Sequence, residues 1–102
     1  MQTYYTTHEI ERDATGHFFD VLAKRHFSSR IGRQVYQGLG WVYFVTSEQF
    51  VGLPGMTGAR KYTVRRYDPI ERTVYTVGDF NVLSRGVAHR LAKRYATEAV
   101  SR

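Results

Sequence analysis

Two groups of basic residues stand at spacings that suit the grip of a polyanion. In the stretch 61–77, Lys61, Thr63, Arg65 and Tyr67 fall on alternate positions, and Val74 and Thr76 follow across a turn. A period of two puts all six on one face of a strand pair. The planar fork of arginine bonds phosphate oxygens and base edges, and a tyrosine ring beside it offers a stacking surface. Arg60 extends this group to the end of a glycine-rich loop. The second group is Arg90, Lys93 and Arg94, which share one side of a helix at about 100° per residue. These residues are the candidate nucleic-acid contacts. For each group the ordinary alternative is a solvated face without a ligand.

Catalysis has no comparable constellation. His8, His17, His26 and His89 are dispersed, without the i, i+4 pairing that places two ligands on one helix face. There are no cysteines, which removes thiolate nucleophiles, disulfides and cysteine-based zinc sites. The serines at 28, 29, 47 and 84 lack a G-x-S-x-G elbow. The loop VGLPGMTGA (51–59) lacks the G-x-x-x-x-G-K-[ST] order of a phosphate-binding loop, and reads as a connection between strands. The expectation is a non-enzymatic protein with no cofactor and no metal.

The distribution of charge supports binding of a polyanion. The formal net charge is +6, yet residues 1–48 hold five basic and five acidic groups. Residues 49–102 hold ten basic groups against four acids, so the whole excess lies in the second half. Twelve of the fifteen basic residues are arginine, the side chain best shaped for phosphate. At 102 residues, 42% hydrophobic and 15% aromatic, the chain fits one globular domain, with 1–40 as an N-terminal hairpin and short helix and 41–100 as sheet plus helix. No apolar run approaches a membrane span and no export signal is legible, so a cytoplasmic location is expected.

The elements that would position these groups are clearest in the second half. Lys61–Tyr67 alternates as a half-buried strand, Asp68-Pro69 opens a turn, and Thr73–Val77 resumes a β-branched run. A four-residue loop at 69–72 sets Arg66 opposite Tyr75 and Val64 opposite Val77. Ser84 is a suitable N-cap for a helix whose Val87, Ala88, Leu91, Ala92, Tyr95 and Ala99 form one apolar face. Trp41–Phe50 is the most apolar segment and reads as a central strand.

The first half is more ambiguous. Thr3–Ile10 reads as a strand, Arg12–Gly16 as a turn, and Ser29–Gln37 as a short helix ended by Gly38 and Gly40. Residues 17–27 fit either a strand or a helix. A faint twofold pattern, strand–strand–helix in each half, favours the strand. The fold class expected is α+β: an antiparallel sheet of three to five strands, the C-terminal helix packed on one face, and a second short helix near 29–37.

Tyr62-Thr63-Val64, Tyr67-Asp68-Pro69, Val77-Gly78-Asp79-Phe80 and the alanine-rich helix from Ser84 together resemble the AP2-type DNA-binding domain and the arm-binding domains of phage integrases. The resemblance implies three antiparallel strands backed by a helix, with the sheet laid in the DNA major groove. The spacing of Ser84, Arg85, Ala88 and Ala92 is also similar to the last helix of double-stranded-RNA-binding domains. In general manner the chain resembles small accessory proteins of bacteriophages, many of which bind and block a host protein. The expected partner is therefore nucleic acid, DNA ahead of RNA, or else a host protein, with no membrane and with a homodimer open. Tyrosines beside arginines on one face favour nucleic acid. An exposed apolar patch from Trp41, Phe44 or Phe50 favours a protein.

Overall fold

The computed structural model describes residues 3–16, 18–19, 26–52, 55, 58–77, 82 and 84–101. It is an α+β fold: helix α1 (Thr7–Asp13), strands β1 (Phe27–Gln37), β2 (Val42–Phe50), β3 (Lys61–Asp68) and β4 (Thr73–Thr76), and helix α2 (Arg85–Ser101). The strands form one antiparallel sheet in the order β1-β2-β3-β4.

The β3–β4 hairpin follows from its turn chemistry. The Asp68 carboxylate accepts the backbone N–H groups of Ile70 (2.9 Å) and Glu71 (3.3 Å), an Asx-type closure, and Arg72 N–H returns to the Asp68 carbonyl at 2.7 Å. Arg72 takes the left-handed φ of 58° that ends the loop. The register is the expected one: Arg66 pairs with Tyr75, and Val77 N–H bonds the Val64 carbonyl.

Helix α2 lies on one face of the sheet through small residues. Ala88, Ala92 and Ala96 are buried against Tyr43, Val45 and Val64, and Leu91 and Tyr95 close the sides of this cluster. Alanine at i, i+4 and i+8 keeps the helix close to the strands. The Tyr95 ring stacks on Tyr43, with centroids 6.1 Å apart. The Ser84 hydroxyl accepts Val87 N–H at 3.3 Å, so the cap is where the sequence puts it.

The N-terminal half departs from expectation. Thr3–Ile10 is not a strand: Tyr4 and Tyr5 precede α1, which then runs from Thr7 to Asp13. Threonine and tyrosine content suggested β structure, yet His8-Glu9-Ile10-Glu11-Arg12 suits a helix turned about Ile10, which is fully buried. Glu9 closes the first turn by accepting Tyr5 N–H at 3.3 Å. The turn expected at Arg12–Gly16 begins only after Asp13. Ser29–Gln37 is not a helix but most of β1, the eleven-residue edge strand. Its Ile31 and Val35 do point inward, but through strand pairing with Thr46 and Phe44 across a bulge. The twofold strand–strand–helix pattern is absent, since α1 precedes β1. Of the ambiguous segment 17–27, Phe27 opens β1, while residues 17 and 20–25 lie outside the described residues.

The second face of the sheet is also covered. Tyr4 and Ile10 pack on Val42, Phe44 and Tyr67, with Ala14, Phe18, Ile31, Val35 and Val74 around them. Arg72 clips this layer to the hairpin: its Nε donates to the Asp13 carbonyl (2.7 Å), and its own carbonyl accepts Thr15 N–H (2.9 Å). The sheet is therefore the middle of three layers.

Candidate nucleic-acid interface

The three layers decide which basic residues are free to meet a ligand. Tyr67 is 0% exposed, its ring edge-on to Tyr4 at 5.5 Å. It has no open face for a base, and its place as a stacking residue is corrected: the N-terminal layer occupies the surface a base would need. Arg65, beside it, is half-buried and turned to internal partners. Its Nε donates to Thr46 Oγ1 (3.0 Å) and Nη1 to Thr76 Oγ1 (2.6 Å), with the Phe19 ring 5.8 Å away. Burial holds its pKa below the ordinary arginine value, with Glu48 opposing. Tyr67 is thus an interior contact, and Arg65 a half-buried one whose Nη1 reaches the exposed Thr76. Lys61 stays exposed at the start of β3.

Arg90, Lys93 and Arg94 stand where the periodicity puts them, exposed on the outer ridge of α2. Arg94 is held by Glu98 at 2.9 Å, four residues on, a surface pair of small energetic weight. The ridge is convex and suits loose contact with phosphates.

Arg60 lies in a different environment. Beside the first turn of α2 a cleft of about 330 Å³ gathers Arg30, Arg33, Arg60, Arg85 and His89 around Tyr62, Val45 and Ser47. No carboxylate lines it among the described residues. Arg60 is fixed by three neutral acceptors: Ser28 O (3.2 Å), Ser28 Oγ (3.1 Å) and Ser47 Oγ (2.9 Å). Its charge is held in place without being neutralised.

The bulge in β1 supplies the cleft's second arginine. Ile31 pairs with Thr46 and Val35 with Phe44, leaving Gly32, Arg33 and Gln34 opposite the single residue Val45. Gly32 fits because the backbones are close there: a Cβ would lie 3.0 Å from the Val45 carbonyl oxygen. Arg85 opens α2, whose first turn holds no acidic residue. A cation at the positive end of a helix is electrostatically misplaced unless an anion joins it. His89, one turn on, lies 2.9 Å by Nδ1 from the Tyr36 hydroxyl. Burial, then repulsion from Arg85, holds the imidazole below its ordinary pKa, so it is neutral at pH 7.

Four of these five residues were not among the sequence candidates. Reading 29–37 as a helix hid Arg30 and Arg33, and Arg85 stood in the shadow of the Ser84 cap. The legible signal was S-R-I-G-R itself: a glycine inside a strand pattern marks a bulge.

A second cluster lies on the same sheet face toward the other end of α2. The Arg66 guanidinium is flanked by Trp41, 4.3 Å from the ring centroid, and Tyr75 at 5.2 Å. Trp41 and Tyr75 are each 37% exposed, whereas Phe44 is fully buried. Tyr75 also donates its hydroxyl to Glu71. Among the described residues no group of His, Asp and Glu could hold a metal, and no helix is long and apolar enough to cross a membrane.

Fold and cleft together define a small α+β protein with a three-layer core and a concentrated cationic recess at a helix N-terminus. The chain belongs to DUF7447, a family of unknown function, whose family model matches residues 3–93. That match spans α1, the whole sheet and the first half of α2, so every residue of the cleft falls within it. No curated protein and no solved structure matches the chain.

Proposed function

We propose that this protein is a non-enzymatic nucleic-acid-binding domain of the cytoplasm, gripping phosphates through the cleft at the head of α2. The observation that carries the reading is the convergence of Arg30, Arg33, Arg60 and Arg85 with no carboxylate in the lining among the described residues. Like charges brought together cost free energy unless a partner of opposite charge repays it. The exposed Arg90, Lys93 and Arg94 ridge adds a second line of phosphate contacts along the same helix. DNA, duplex or single-stranded, is put ahead of RNA as the strand this surface takes.

The test is a titration against matched duplex and single-stranded oligonucleotides at 50 and 200 mM salt. About four phosphate contacts on duplex give a log–log slope near −3.6, a loss of more than a hundredfold over that range. Arg30→Ala with Arg33→Ala lowers the slope by about one unit per residue. Salt-insensitive binding, or none at low salt, refutes the proposal.

One observation favours a different partner. The Trp41–Arg66–Tyr75 stack joins the three residue types that dominate binding hot spots between proteins. Under that reading the chain is an interaction module of the kind small phage proteins use to inhibit or redirect a host enzyme. Nuclease-resistant capture of a single protein from host lysate, lost in Trp41→Ala, selects it over nucleic acid.

A further inference from the structure

We infer that the cleft at the head of α2 receives the terminal phosphate of a nucleic-acid strand, a phosphomonoester, in preference to the internal diesters of a continuous backbone. The inference rests on the nucleic-acid reading above and narrows it to one chemical group.

Charge is the first reason. An internal diester carries one negative charge, whereas a terminal monoester carries about −1.5 to −2 at neutral pH and offers three acceptor oxygens. The cleft gathers four arginines, one of them carried by the first turn of α2. That concentration exceeds what one diester uses and matches a dianion with its surrounding oxygens. The convex α2 ridge, by contrast, spaces its cations along a line, as consecutive diesters require.

Size and preorganisation are the others. About 330 Å³ lies at the small end of ligand sites, room for one nucleotide end. Arg60 is already immobilised by its three hydrogen bonds to Ser28 and Ser47, yet keeps two of its five N–H donors for a ligand. Its donors are thus aimed before binding, as a compact tetrahedral anion demands. The partly exposed Tyr62 adds a flat wall on which the adjoining sugar can rest.

The experiment compares three single-stranded probes of identical sequence, each labelled internally: one 5′-phosphorylated, one with both ends as hydroxyls, and one closed into a circle. The 3′-phosphorylated strand is run beside them. A terminally phosphorylated strand is expected to bind about tenfold more tightly than the hydroxyl strand, the effect of one further charge-assisted contact. Arg85→Gln and, separately, Arg60→Gln bring the phosphorylated and hydroxyl strands to the same affinity. Arg85 is exposed, so its variant stays folded even if loosening Ser28 and Ser47 disturbs the Arg60 variant. Arg90→Gln with Arg94→Gln weakens every probe and leaves the preference standing. Equal wild-type binding of phosphorylated, hydroxyl and circular strands overturns the inference while leaving nucleic-acid binding intact. Failure to bind any probe at low salt removes both.

Discussion

Replacing Tyr67 by alanine separates an interior ring from a surface one. The side chain is 0% exposed and packs between the strands and Tyr4. Burying an aromatic of this size removes at least about 150 Å² from water, and at about 25 cal/mol per Å² that is roughly 4 kcal/mol. Large-to-small changes at buried aromatics cost about 3–5 kcal/mol once the residual cavity is included. Against a total of about 5–15 kcal/mol for a small domain, Tyr67→Ala stays folded only with a narrow margin. With a urea m-value of about 1.5 kcal/mol/M, the midpoint falls by about 2–3 M at unchanged m. Tyr75→Ala, which removes an exposed ring near the end of the short strand β4, is the control and loses less than about 1 kcal/mol. Urea titration followed by far-UV circular dichroism reads both. A Tyr67→Ala protein with wild-type stability and altered preference among oligonucleotides would return the ring to the surface and refute the three-layer arrangement.

Three further outcomes follow from the same geometry. Ser84→Ala deletes the acceptor of Val87 N–H and lowers stability by about 1 kcal/mol, about 4–8 °C in a thermal melt; an unchanged melt denies the cap. Gly32→Ala drives a methyl group to 3.0 Å from the Val45 carbonyl and costs about 1–3 kcal/mol, read in the same melt. The third concerns pH. His89 has its folded pKa depressed below the unfolded value of about 6.5, so the unfolded chain takes up the proton first. Stability contributed by the neutral imidazole is complete above pH 6.5 and falls as pH drops toward the folded pKa. Tyr36 from β1 and Arg85 from α2 face the ring and offer it no anion. His89→Phe removes this part of the acid dependence, and urea midpoints at pH 5.0 and 7.5 measure it.

The second half of the chain was readable because its signals agree. Alternation at 61–67, an Asp-Pro turn and a capped amphipathic run each specify one structure, and the β3–β4 register and α2 follow them. The first half was not, because its local signals compete. Thr3–Ile10 mixes β-favouring residues with a good helical run, and Ile10 settles the matter by filling the hollow over Phe44 and Tyr67. Ser29–Gln37 carries a helix-like spacing of Ile31 and Val35 that a bulge of three residues against one reproduces within a strand. The candidate site is hard to read for the same reason. Alternation correctly put Arg65 and Tyr67 on one face, but no periodicity reveals that a separate segment will cover that face. Arg60 was singled out for its place in sequence, while its partners Arg30, Arg33 and Arg85 come from two other elements and meet only in the folded chain.

The bulge in β1 has a consequence for solubility. An eleven-residue strand at the rim of a sheet is a long row of unpaired amides, the usual template for one chain to add to another. Here the row is interrupted at Gly32–Gln34, Thr6 bridges Gln34 from the N-terminal segment, and Arg30 and Arg33 stand exposed on the strand. At the other rim β4 is only four residues long. The irregularity that brings Arg33 to the cleft therefore also breaks the continuous edge that a neighbouring copy would extend. Straightening β1 by deleting Arg33 and Gln34 would leave the inward-facing set on the same side, because two residues are removed from a period of two. It would produce a flat, less charged rim, and with it a chain that self-associates through strand edges as its concentration rises.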